Sequence, residues 1–316
     1  MVCLITGGAG FIGSHLVDFL MELGETVHVL DNLSSGDLNN ISAWLTSPRL
    51  TVFQGDILSK ENIYEALEGC DTVFHLAANP EVRSENASPT DHFKQNIQGT
   101  YNLLECIRES GGVKRYVFAS TSTVYGEPSV IPTPETYAPL KPISHYGASK
   151  LASEALSMAY ASMYDFDCVV YRFANVIGPR SNHGVIFDFV TKLRETPSRL
   201  EILGDGTQTK SYLYIDDCIK GVMAGLDDLC HQIRIYNVGS NTRVDVLSLA
   251  SAVVDAVGLE DVEIYTTGGV SGGRGWKGDV KKMQLDMTLL HSKGWRAKLS
   301  SMEAITETAK GLNALL

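Results

Sequence analysis

The stretch GGAGFIG, Gly7–Gly13, decides the fold of this chain. It follows the apolar run VCLIT and opens a segment whose apolar residues recur at helical spacing: Phe11, Ile12, Leu16, Phe19, Leu20 and Leu23. Glycines between a strand and a helix permit a tight turn, and they let the helix N-terminus approach a pyrophosphate. The next apolar run ends at Asp31, eighteen residues past Gly13, where a carboxylate can accept hydrogen bonds from ribose hydroxyls. The sequence therefore predicts a dinucleotide site, with a glycine-rich turn that binds nothing as the alternative.

The residues after this turn bear on which dinucleotide is bound. Asp31, followed by Asn32, favours NAD over NADP, because a carboxylate repels a 2′-phosphate and no arginine lies nearby to receive one. Asp56 ends the third apolar run, in QGD, and two interpretations of it remain open. It either contacts the adenine edge or only caps its loop.

Short apolar runs alternate with helical patterns through the first half of the chain. The runs are VCLIT, TVHVLD, LTVFQGD, DTVFHLAA, RYVFAST and CVVYRFAN, and helices are expected from about residues 14, 60, 90 and 146. This alternation predicts an α/β fold with a doubly wound parallel sheet (Rossmann fold), which binds ligands at the carboxyl ends of its strands. We expect a dinucleotide-binding domain over residues 1–175, with return elements at about 212–238. A smaller, interleaved C-terminal substrate lobe is expected over 176–211 and 239–316.

The composition argues against several kinds of partner. The 316 residues carry a formal charge of −11, so neither a nucleic-acid surface nor an anionic membrane is an expected partner. No apolar run approaches the roughly 20 residues that span a bilayer. The first basic residue is Arg49, so we expect no export signal. The six cysteines are scattered without a metal-binding spacing, and we expect a cytoplasmic protein with buried thiols and no metal site.

The stretch YGASK raises a question of acid–base chemistry. It places Tyr146 and Lys150 four residues apart, on one face of a predicted helix. A free tyrosine has a pKa of about 10 and a free lysine of about 10.4, so neither is a useful base at neutral pH by itself. The pair is either part of a catalytic site or an ordinary surface pair on a helix.

Ten motifs carry a resemblance to a known family, and they extend over nearly the whole chain. In order they are GGAGFIG, DNLSSG, HLAAN, NIQGT, STSTVYG, YGASK, YRFANVIGPR, GDGTQTKSYLYIDD, YNVGS and GWKGDV. The chain resembles the extended short-chain dehydrogenase/reductase family, and within it the UDP-galactose 4-epimerase group. This resemblance implies NAD as the cofactor and a UDP-sugar as the substrate.

The resemblance also implies roles for individual residues. Tyr146 would be the general base, Lys150 with the positive nicotinamide ring would lower the pKa of Tyr146 toward neutrality, and Thr121 would position the sugar oxygen. The residues expected to contact NAD are Gly7, Gly10, Phe11, Ile12, Gly13, Asp31, Asn32, Ser34, Ser35, Gly36, Asp56, Ile57, Leu76, Ala77, Ala78, Asn96, Tyr146, Lys150 and Ala174. The residues expected to contact the substrate are Thr121, Ser122, Tyr146, Asn175, His183, Val185, Lys210, Tyr212 and Arg274.

Two positions depart from the pattern of the family. Lys210 stands where many relatives have arginine, which would replace a bidentate phosphate contact by a point charge. Trp276 stands where bacterial epimerases carry an arginine, and the arginine of this chain is Arg274. Arg274 either reaches the diphosphate or is solvated in its glycine-rich loop.

Several other polar residues have a structural interpretation beside a functional one. Tyr125 is expected to pack rather than react, and His75 to be a satisfied core group. Arg83 either approaches the substrate or forms a surface ion pair with Glu81 or Glu85. The pair Asp216 and Asp217 is expected to cap a helix and complement its dipole.

The residues after Thr121 bear on the type of reaction. Family dehydratases carry Asp-Glu there, and the related decarboxylases usually carry a glutamate at the second of these positions, whereas this chain has Ser122 and Thr123. The remaining expectation is UDP-glucose 4-epimerase activity, a part of galactose metabolism, through a transient 4-keto sugar. Three alternatives stay open: a 4-epimerase for UDP-glucuronate or a UDP-N-acetylhexosamine, a nucleotide-sugar reductase, and a non-catalytic dinucleotide sensor. The resemblance further implies a homodimer formed by helices near 90–110 and 146–164.

Overall fold

The computed structural model describes residues 1–83, 88–226 and 233–315. Its strands are β1 (Val2–Thr6), β2 (Thr26–Asp31), β3 (Leu50–Gln54), β4 (Thr72–His75), β5 (Arg115–Thr121), β6 (Asp167–Phe173), β7 (Asn175–Ile177), β8 (Arg199–Ile202), β9 (Thr209–Lys210), β10 (Tyr212–Tyr214), β11 (Ile233–Val238), β12 (Val244–Asp245), β13 (Glu263–Thr266) and β14 (Lys282–Met283). Its α-helices are α1 (Phe11–Glu22), α2 (Lys60–Leu67), α3 (Pro89–Asp91), α4 (Gly99–Ser110), α5 (His145–Tyr164), α6 (Val185–Glu195), α7 (Ile215–Ala224), α8 (Val246–Val257), α9 (Thr288–Ser292) and α10 (Ser301–Leu315).

Seven strands form one parallel sheet in the order β11-β6-β5-β4-β1-β2-β3. Its strands are nearly continuous apolar runs, as expected of a sheet that helices cover on both faces. Helices α1 and α7 pack over one face, and α2, α4 and α5 pack over the other, each against its own apolar core. The predicted doubly wound α/β fold is confirmed.

The strand order reverses at β1, which pairs with β2 on one side and with β4 on the other. At such a reversal the connections leave the sheet toward opposite faces, and a crevice opens at the carboxyl ends of the strands. The glycine turn, Gly7–Gly13, leaves β1 at this point, so the sheet positions the sequence-predicted dinucleotide site in the crevice.

A third apolar core lies apart from the two that sandwich the sheet. It is built by α6, α8 and α10 together with β8, and small two- and three-stranded sheets accompany it. The chain does not stay in this part of the molecule, because β11 returns to pair in parallel with β6 at the edge of the main sheet.

One helix differs from its predicted form. The helix expected from about residue 90 begins at Pro89–Asp91, continues as a π-helical segment over His92–Gln98 and becomes the α-helix Gly99–Ser110. π-Helical segments leave backbone carbonyls without their usual partner, and they are frequent at functional sites. Here the carbonyl of Asn96 accepts hydrogen bonds from Thr100 Oγ1 and from Ser153 Oγ, at 2.5 and 2.9 Å.

Candidate active site

A cavity of about 1060 Å³ follows the carboxyl ends of the sheet strands and extends between the sheet and the α6, α8, α10 core. Its walls include the residues that end or follow β1, β2, β4, β5 and β6. Its far wall contains side chains from α6, from β9 and from the segment after β13. Eight of the ten sequence motifs contribute residues to this one cavity, whereas NIQGT and YNVGS contribute none.

The glycine turn forms one end of this cavity, and its shape depends on missing side chains. A Cβ atom at Gly7 would lie 2.8 Å from the backbone nitrogen of Ala77, and one at Gly13 would lie 2.1 Å from the carbonyl oxygen of Gly7. Helix α1 begins after Gly10 without a side-chain cap, so its first N–H groups remain available. A backbone cradle of this kind fits a pyrophosphate.

Asp31 closes the same end at the tip of β2. Its carboxylate accepts hydrogen bonds from the backbone N–H groups of Ala9 and Leu33, both at 2.9 Å, and the residue lines the cavity. Asp56 accepts from the backbone N–H of Leu58 and from Asn32 Nδ2, both at 2.9 Å. Asp56 therefore caps its loop and also lines the cavity, so the two interpretations of this residue are compatible.

The loop after β4 is held from behind by Asn96. The Asn96 amide accepts from the backbone N–H of Asn79 at 2.7 Å and donates to the Asn79 carbonyl at 3.2 Å. It also donates to Ser149 Oγ at 2.9 Å, which links the loop to α5. Asn96 is buried and lies behind the cavity wall, whereas Asn79 lies in it. Asn96 therefore supports this loop, and its contact with the cofactor stays a prediction.

The three candidate catalytic residues converge at the centre of the cavity. Thr121 is the last residue of β5, and Tyr146 and Lys150 project from the first turns of α5, which Ser144 caps by accepting the N–H of Gly147. All three line the cavity. The Lys150 ammonium lies 4.2 Å from the centre of the Phe118 ring, so an aromatic face supports the buried cation.

Burial governs the acid–base properties of this pair. Burial lowers the pKa of Lys150 to about 7, and the charge of Glu154 partly opposes that fall. Burial raises the pKa of Tyr146, and a hydrogen bond with Thr121 partly opposes that rise. Loss of hydration thus outweighs the Thr121 hydrogen bond, and the expected fall of the Tyr146 pKa toward neutrality, which also involves the nicotinamide ring, stays a prediction.

Two other polar residues near this point belong to the core, as expected. His75 is hydrogen bonded to Thr6 Oγ1 at 2.7 Å and to Thr100 Oγ1 at 2.9 Å, and burial lowers its pKa to about 3. The Tyr125 hydroxyl donates to Asn237 Oδ1 at 2.8 Å, and its ring packs in the core rather than in the cavity wall.

The far end of the cavity contains a cluster of two cations around one aromatic ring. Lys210 Nζ and the Arg83 guanidinium lie 5.3 and 5.1 Å from the centre of the Trp276 ring. Lys210 is paired with Asp279 at 2.6 Å, and Arg83 with Asp188 at 2.6 Å. All five residues line the cavity. Cations that face a cavity and are already balanced by carboxylates can receive an anionic ligand when the carboxylates yield.

Gln208 adds a hydrogen-bond acceptor to this end of the cavity. Its Nε2 donates to the carbonyls of Leu203 and Gly273, at 3.2 and 3.4 Å, which fixes the direction of the amide. Its Oε1 is buried and has no hydrogen-bond partner among the described residues. A buried acceptor without a donor is costly, so a ligand N–H or O–H group would satisfy it.

Most of the predicted contact residues line the cavity, and three do not. Those in the wall are Gly7, Gly10, Phe11, Ile12, Gly13, Asp31, Asn32, Ser34, Ser35, Asp56, Ile57, Leu76, Ala77, Ala78, Thr121, Ser122, Tyr146, Lys150, Ala174, Asn175, His183, Val185, Lys210 and Tyr212. Those outside it are Gly36, Asn96 and Arg274. The Arg274 guanidinium is instead paired with Glu127, away from the cavity.

Two expectations about charged residues need correction. Arg83 pairs with Asp188 rather than with Glu81, which instead accepts the backbone N–H of Arg83 at 2.8 Å, while Glu85 lies outside the described residues. Asp216 and Asp217 both lie in the first turn of α7, where carboxylates complement the helix dipole as expected, but no described side chain caps this helix. Asp217 has another partner. Its carboxylate accepts the backbone N–H groups of Lys298 and Leu299, at 2.8 and 3.1 Å, because it is buried against that loop.

The remaining expectations from the sequence concern the cysteines, membrane-spanning segments and metal sites. The five described cysteines are buried, and Cys230 lies outside the described residues, as do residues 227–229 of the predicted return elements. Within the described part of the chain, no helix is both long and apolar enough to cross a bilayer. Over the same ranges, no group of three His, Cys, Asp or Glu side chains is placed to hold a metal ion.

Comparison with known proteins identifies relatives that share this cavity-bearing fold. Residues 3–239 match the model of the NAD dependent epimerase/dehydratase family. A putative UDP-glucose 4-epimerase of Methanocaldococcus jannaschii is 33% identical over 307 residues, which cover 96% of this chain and 95% of that protein. A crystal structure of a UDP-galactose 4-epimerase is 43% identical, with a TM-score of 0.87 and full coverage of both chains. A UDP-glucuronic acid 4-epimerase of Bacillus cereus, in complex with UDP-glucuronic acid and NAD, is 28% identical with a TM-score of 0.89.

Proposed function

The chain belongs to the NAD dependent epimerase/dehydratase family, and from this premise we propose that it is a UDP-hexose 4-epimerase that interconverts UDP-galactose and UDP-glucose. The observation that carries the proposal is the convergence of Thr121, Tyr146 and Lys150 in one cavity, between a dinucleotide cradle and a cationic far end. A reaction at the sugar needs both ligands to meet at this point.

The cofactor is NAD, and the residues of the glycine turn fit it. The close backbone packing that only glycine allows at Gly7 and Gly13 keeps the turn tight enough for the N-terminus of α1 to face a pyrophosphate, and Asp31 would accept hydrogen bonds from the adenosine ribose. Lys150 would hold the nicotinamide ribose. When bound, NAD supplies reversible hydride transfer at a sugar carbon, so that the overall reaction involves no net redox change. The larger lobe, residues 1–175 with 212–238, would hold this cofactor.

The side chains of the protein would accept and return one proton at the sugar. In the proposed mechanism the Tyr146 phenolate accepts the proton of the sugar 4-hydroxyl, and later returns it to the 4-keto oxygen. Thr121 donates a hydrogen bond that orients O4, and the Lys150 ammonium favours the phenolate. The sugar turns over between the two proton transfers, and the cavity wall near Ser122 and Thr123 offers no carboxyl group at the dehydratase positions.

The smaller lobe, residues 176–211 and 239–316, would hold the nucleotide. Lys210 with Asn175 would receive the diphosphate, and the segment His183–Phe189 would pack on the uracil, because these residues line the far part of the cavity. The unpartnered Gln208 Oε1 is available there for a uracil or ribose hydrogen-bond donor.

A 4-epimerase for UDP-glucuronate is the second candidate. It is supported by the similarity to the Bacillus cereus enzyme in complex with that sugar nucleotide. A uronate brings an additional carboxylate into the sugar end of the cavity. Four lining residues are cations, and three of them, Arg83, Lys192 and Lys210, are already paired with carboxylates. Because most of these cations already have a carboxylate partner, the charges in the cavity favour a neutral hexose over a uronate as substrate.

We further propose that the enzyme is a homodimer. Exposed apolar and aromatic side chains occur on the π-helical segment, α4 and α5, and they are Phe93, Tyr101, Met163 and Tyr164. Two copies that pack these helices together would cover such side chains. Sedimentation equilibrium would give the mass of two chains, and a mass of one chain at micromolar concentration would reject the dimer.

Proton NMR of UDP-galactose with the purified protein, without added cofactor, tests the proposed reaction. The anomeric signals of UDP-glucose should appear, and NAD should be found in stoichiometric amount after acid denaturation. Conversion of UDP-glucuronate but not of UDP-galactose would assign the second candidate instead. Stoichiometric consumption of added NADH with formation of a reduced sugar would assign a reductase.

A further inference from the structure

Glu154 is the only acidic residue of α5, and it is fully buried. It lies four residues past Lys150 and eight past Tyr146, so the three side chains follow one face of the helix, one turn after another. No ligand contact is assigned to Glu154, because it lies behind the cavity wall rather than in it. A buried carboxylate so close to a catalytic pair needs a reason.

The carboxylate is fixed by two partners from the sheet. Arg172 on β6 forms a bidentate pair with it, with Nε at 3.0 Å from Oε1 and Nη2 at 2.7 Å from Oε2. Ser120, on β5 beside Thr121, donates its hydroxyl to the same carboxylate. Arg172 is in turn held by the Tyr125 hydroxyl and the Glu135 carbonyl, at 3.0 and 3.2 Å from Nη1. These contacts therefore hold the charged Glu154 carboxylate in one position.

Of the described groups that surround Lys150, Glu154 is the one whose charge acts on the ammonium. From β5 the Phe118 ring supports the ammonium at 4.2 Å. From β4, His75 is neutral at physiological pH, since its pKa is about 3. From α5 itself come Tyr146 and Glu154, and Arg172 lies on the other side of Glu154. Among the described residues, the carboxylate charge that raises the pKa of Lys150 against burial is that of Glu154.

We propose that Glu154 is a positioning residue that shifts the shared proton of the Tyr146–Lys150 pair toward the lysine, and that Arg172 and Ser120 hold it in place for this purpose. The inference rests on the proposed function, in which Tyr146 acts as a phenolate. It extends that function by naming what makes the phenolate accessible in an interior that otherwise favours the neutral phenol.

The position of the proton that Tyr146 and Lys150 share provides a test of the proposal. In the reactive state the pair holds one proton, which lies either on the phenol oxygen or on the amine, and only the second arrangement provides a base. An anion one turn from the amine and two turns from the phenol stabilises the second arrangement relative to the first. The same anion delays the loss of the preceding proton, so it raises the pH at which the acid limb of kcat/KM falls.

Glu154→Gln removes the charge and keeps the shape of the side chain, and Ser157→Ala, one turn further along α5 and outside the cavity wall, is its matched control. With the holoenzyme, Glu154→Gln should move the acid limb of kcat/KM about one pH unit lower and reduce the plateau about tenfold, as expected for a charge one turn away in a protein interior. Ser157→Ala retains the carboxylate and its partners, so its acid limb should stay within about 0.3 unit of the wild type.

A second readout does not depend on turnover. In protein labelled with 13Cε-lysine, the Lys150 signal is assigned with Lys150→Met, and its shift gives the ammonium fraction. Glu154→Gln should lower that fraction at pH 7. If the wild type converts no UDP-hexose, the proposed function fails, and this signal still decides the role of Glu154.

An unchanged acid limb and an unchanged ammonium fraction in folded Glu154→Gln would overturn the proposal, whatever the loss of activity. If this variant does not fold, because Arg172 is left buried without its partner, the double variant Glu154→Gln/Arg172→Gln removes both charges of the ion pair and takes its place. Lys150 then still loses the carboxylate that acts on it, so the acid limb should move to lower pH. A shift to higher pH, or none, would equally overturn the proposal.

Discussion

The Arg83 guanidinium lies 5.1 Å from the centre of the Trp276 ring, and this contact joins the loop after β4 to the C-terminal part of the chain across the cavity. The same ring has Lys210 Nζ at 5.3 Å. Trp276 thus positions two cations at the end of the cavity where the resemblance to epimerases leads one to expect an arginine. The Trp276 ring does not replace the positive charge of that arginine, but it positions the two cations that are present, Arg83 and Lys210.

Loss of the Trp276 ring should therefore weaken substrate binding. Each cation–π contact contributes about 0.5–2 kcal/mol, so Trp276→Leu is expected to raise KM for UDP-galactose about tenfold while kcat changes less than about threefold. Trp276→Phe keeps an aromatic face and should raise KM less. Steady-state kinetics measures both. Equal KM values for Trp276→Leu and the wild type would remove the ring from substrate recognition.

Lys210 should contribute the charge that receives the diphosphate. Its removal in Lys210→Met leaves the buried Asp279 carboxylate without its cationic partner, although the backbone N–H of Gly275 still donates to it, and this by itself costs about 3–5 kcal/mol of stability. The informative variant is therefore Lys210→Met/Asp279→Asn, which removes both charges. We expect it to fold and to raise KM about 10- to 100-fold, as the loss of a charge-assisted hydrogen bond predicts. A double variant with wild-type KM would show that the diphosphate binds elsewhere.

The acid side of the pH profile should report the Tyr146–Lys150 pair. Burial lowers the pKa of Lys150 to about 7 and raises that of Tyr146, so the first proton leaves the pair near pH 7 and the second far above it. Activity should rise with pH through about 7. In Lys150→Met the only remaining proton is on Tyr146, so the acid limb should move to higher pH and activity at pH 7 should fall at least about 100-fold. An acid limb in the same place in both proteins would exclude the pair as its origin.

The glycine turn should tolerate no Cβ atom at Gly13. Gly13→Ala would place that atom 2.1 Å from the carbonyl oxygen of Gly7, and relief of the clash would distort the cradle. We expect a loss of stability of about 1–3 kcal/mol and loss of bound NAD on purification. The control is Gly311→Ala in α10, where a Cβ atom meets nothing within 4 Å and helix propensity predicts a small gain. Urea denaturation and cofactor content measure both, and retention of NAD by Gly13→Ala would contradict the assignment of the cradle.

The sequence predicted those features that local spacing determines. The run before Gly7, the glycine turn and Asp31 together required one strand–turn–helix–strand unit, and alternating apolar runs required the parallel sheet. The spacing of Tyr146 and Lys150 likewise placed both side chains on one helical face. The roles assigned to these residues stay predictions until the variants are measured.

Other features depend on contacts between distant parts of the chain, which spacing does not show. The sequence showed Trp276 only as a departure from the family pattern. Its contacts with Arg83 and Lys210 could not be predicted, because these two residues approach the ring from separate elements. Arg274 was expected near the substrate from its sequence position, but an ion pair with Glu127 holds it away. Glu154 had a signal that could have been used: its spacing of four from Lys150 puts it on the same face. Its meaning depends on Arg172, whose side-chain position only the fold reveals.

The most direct test compares Tyr146→Phe with Tyr265→Phe in the proton NMR assay of UDP-galactose. Tyr265 lies on β13 and is partly exposed, outside the cavity wall, so its loss of a hydroxyl should leave conversion to UDP-glucose unchanged. Tyr146→Phe retains the ring and the fold but has no proton acceptor, and conversion should fall about 100- to 10,000-fold while bound NAD is kept. If Tyr146→Phe, folded and containing NAD, converts UDP-galactose at close to the wild-type rate, Tyr146 is not the base and the proposed mechanism is wrong.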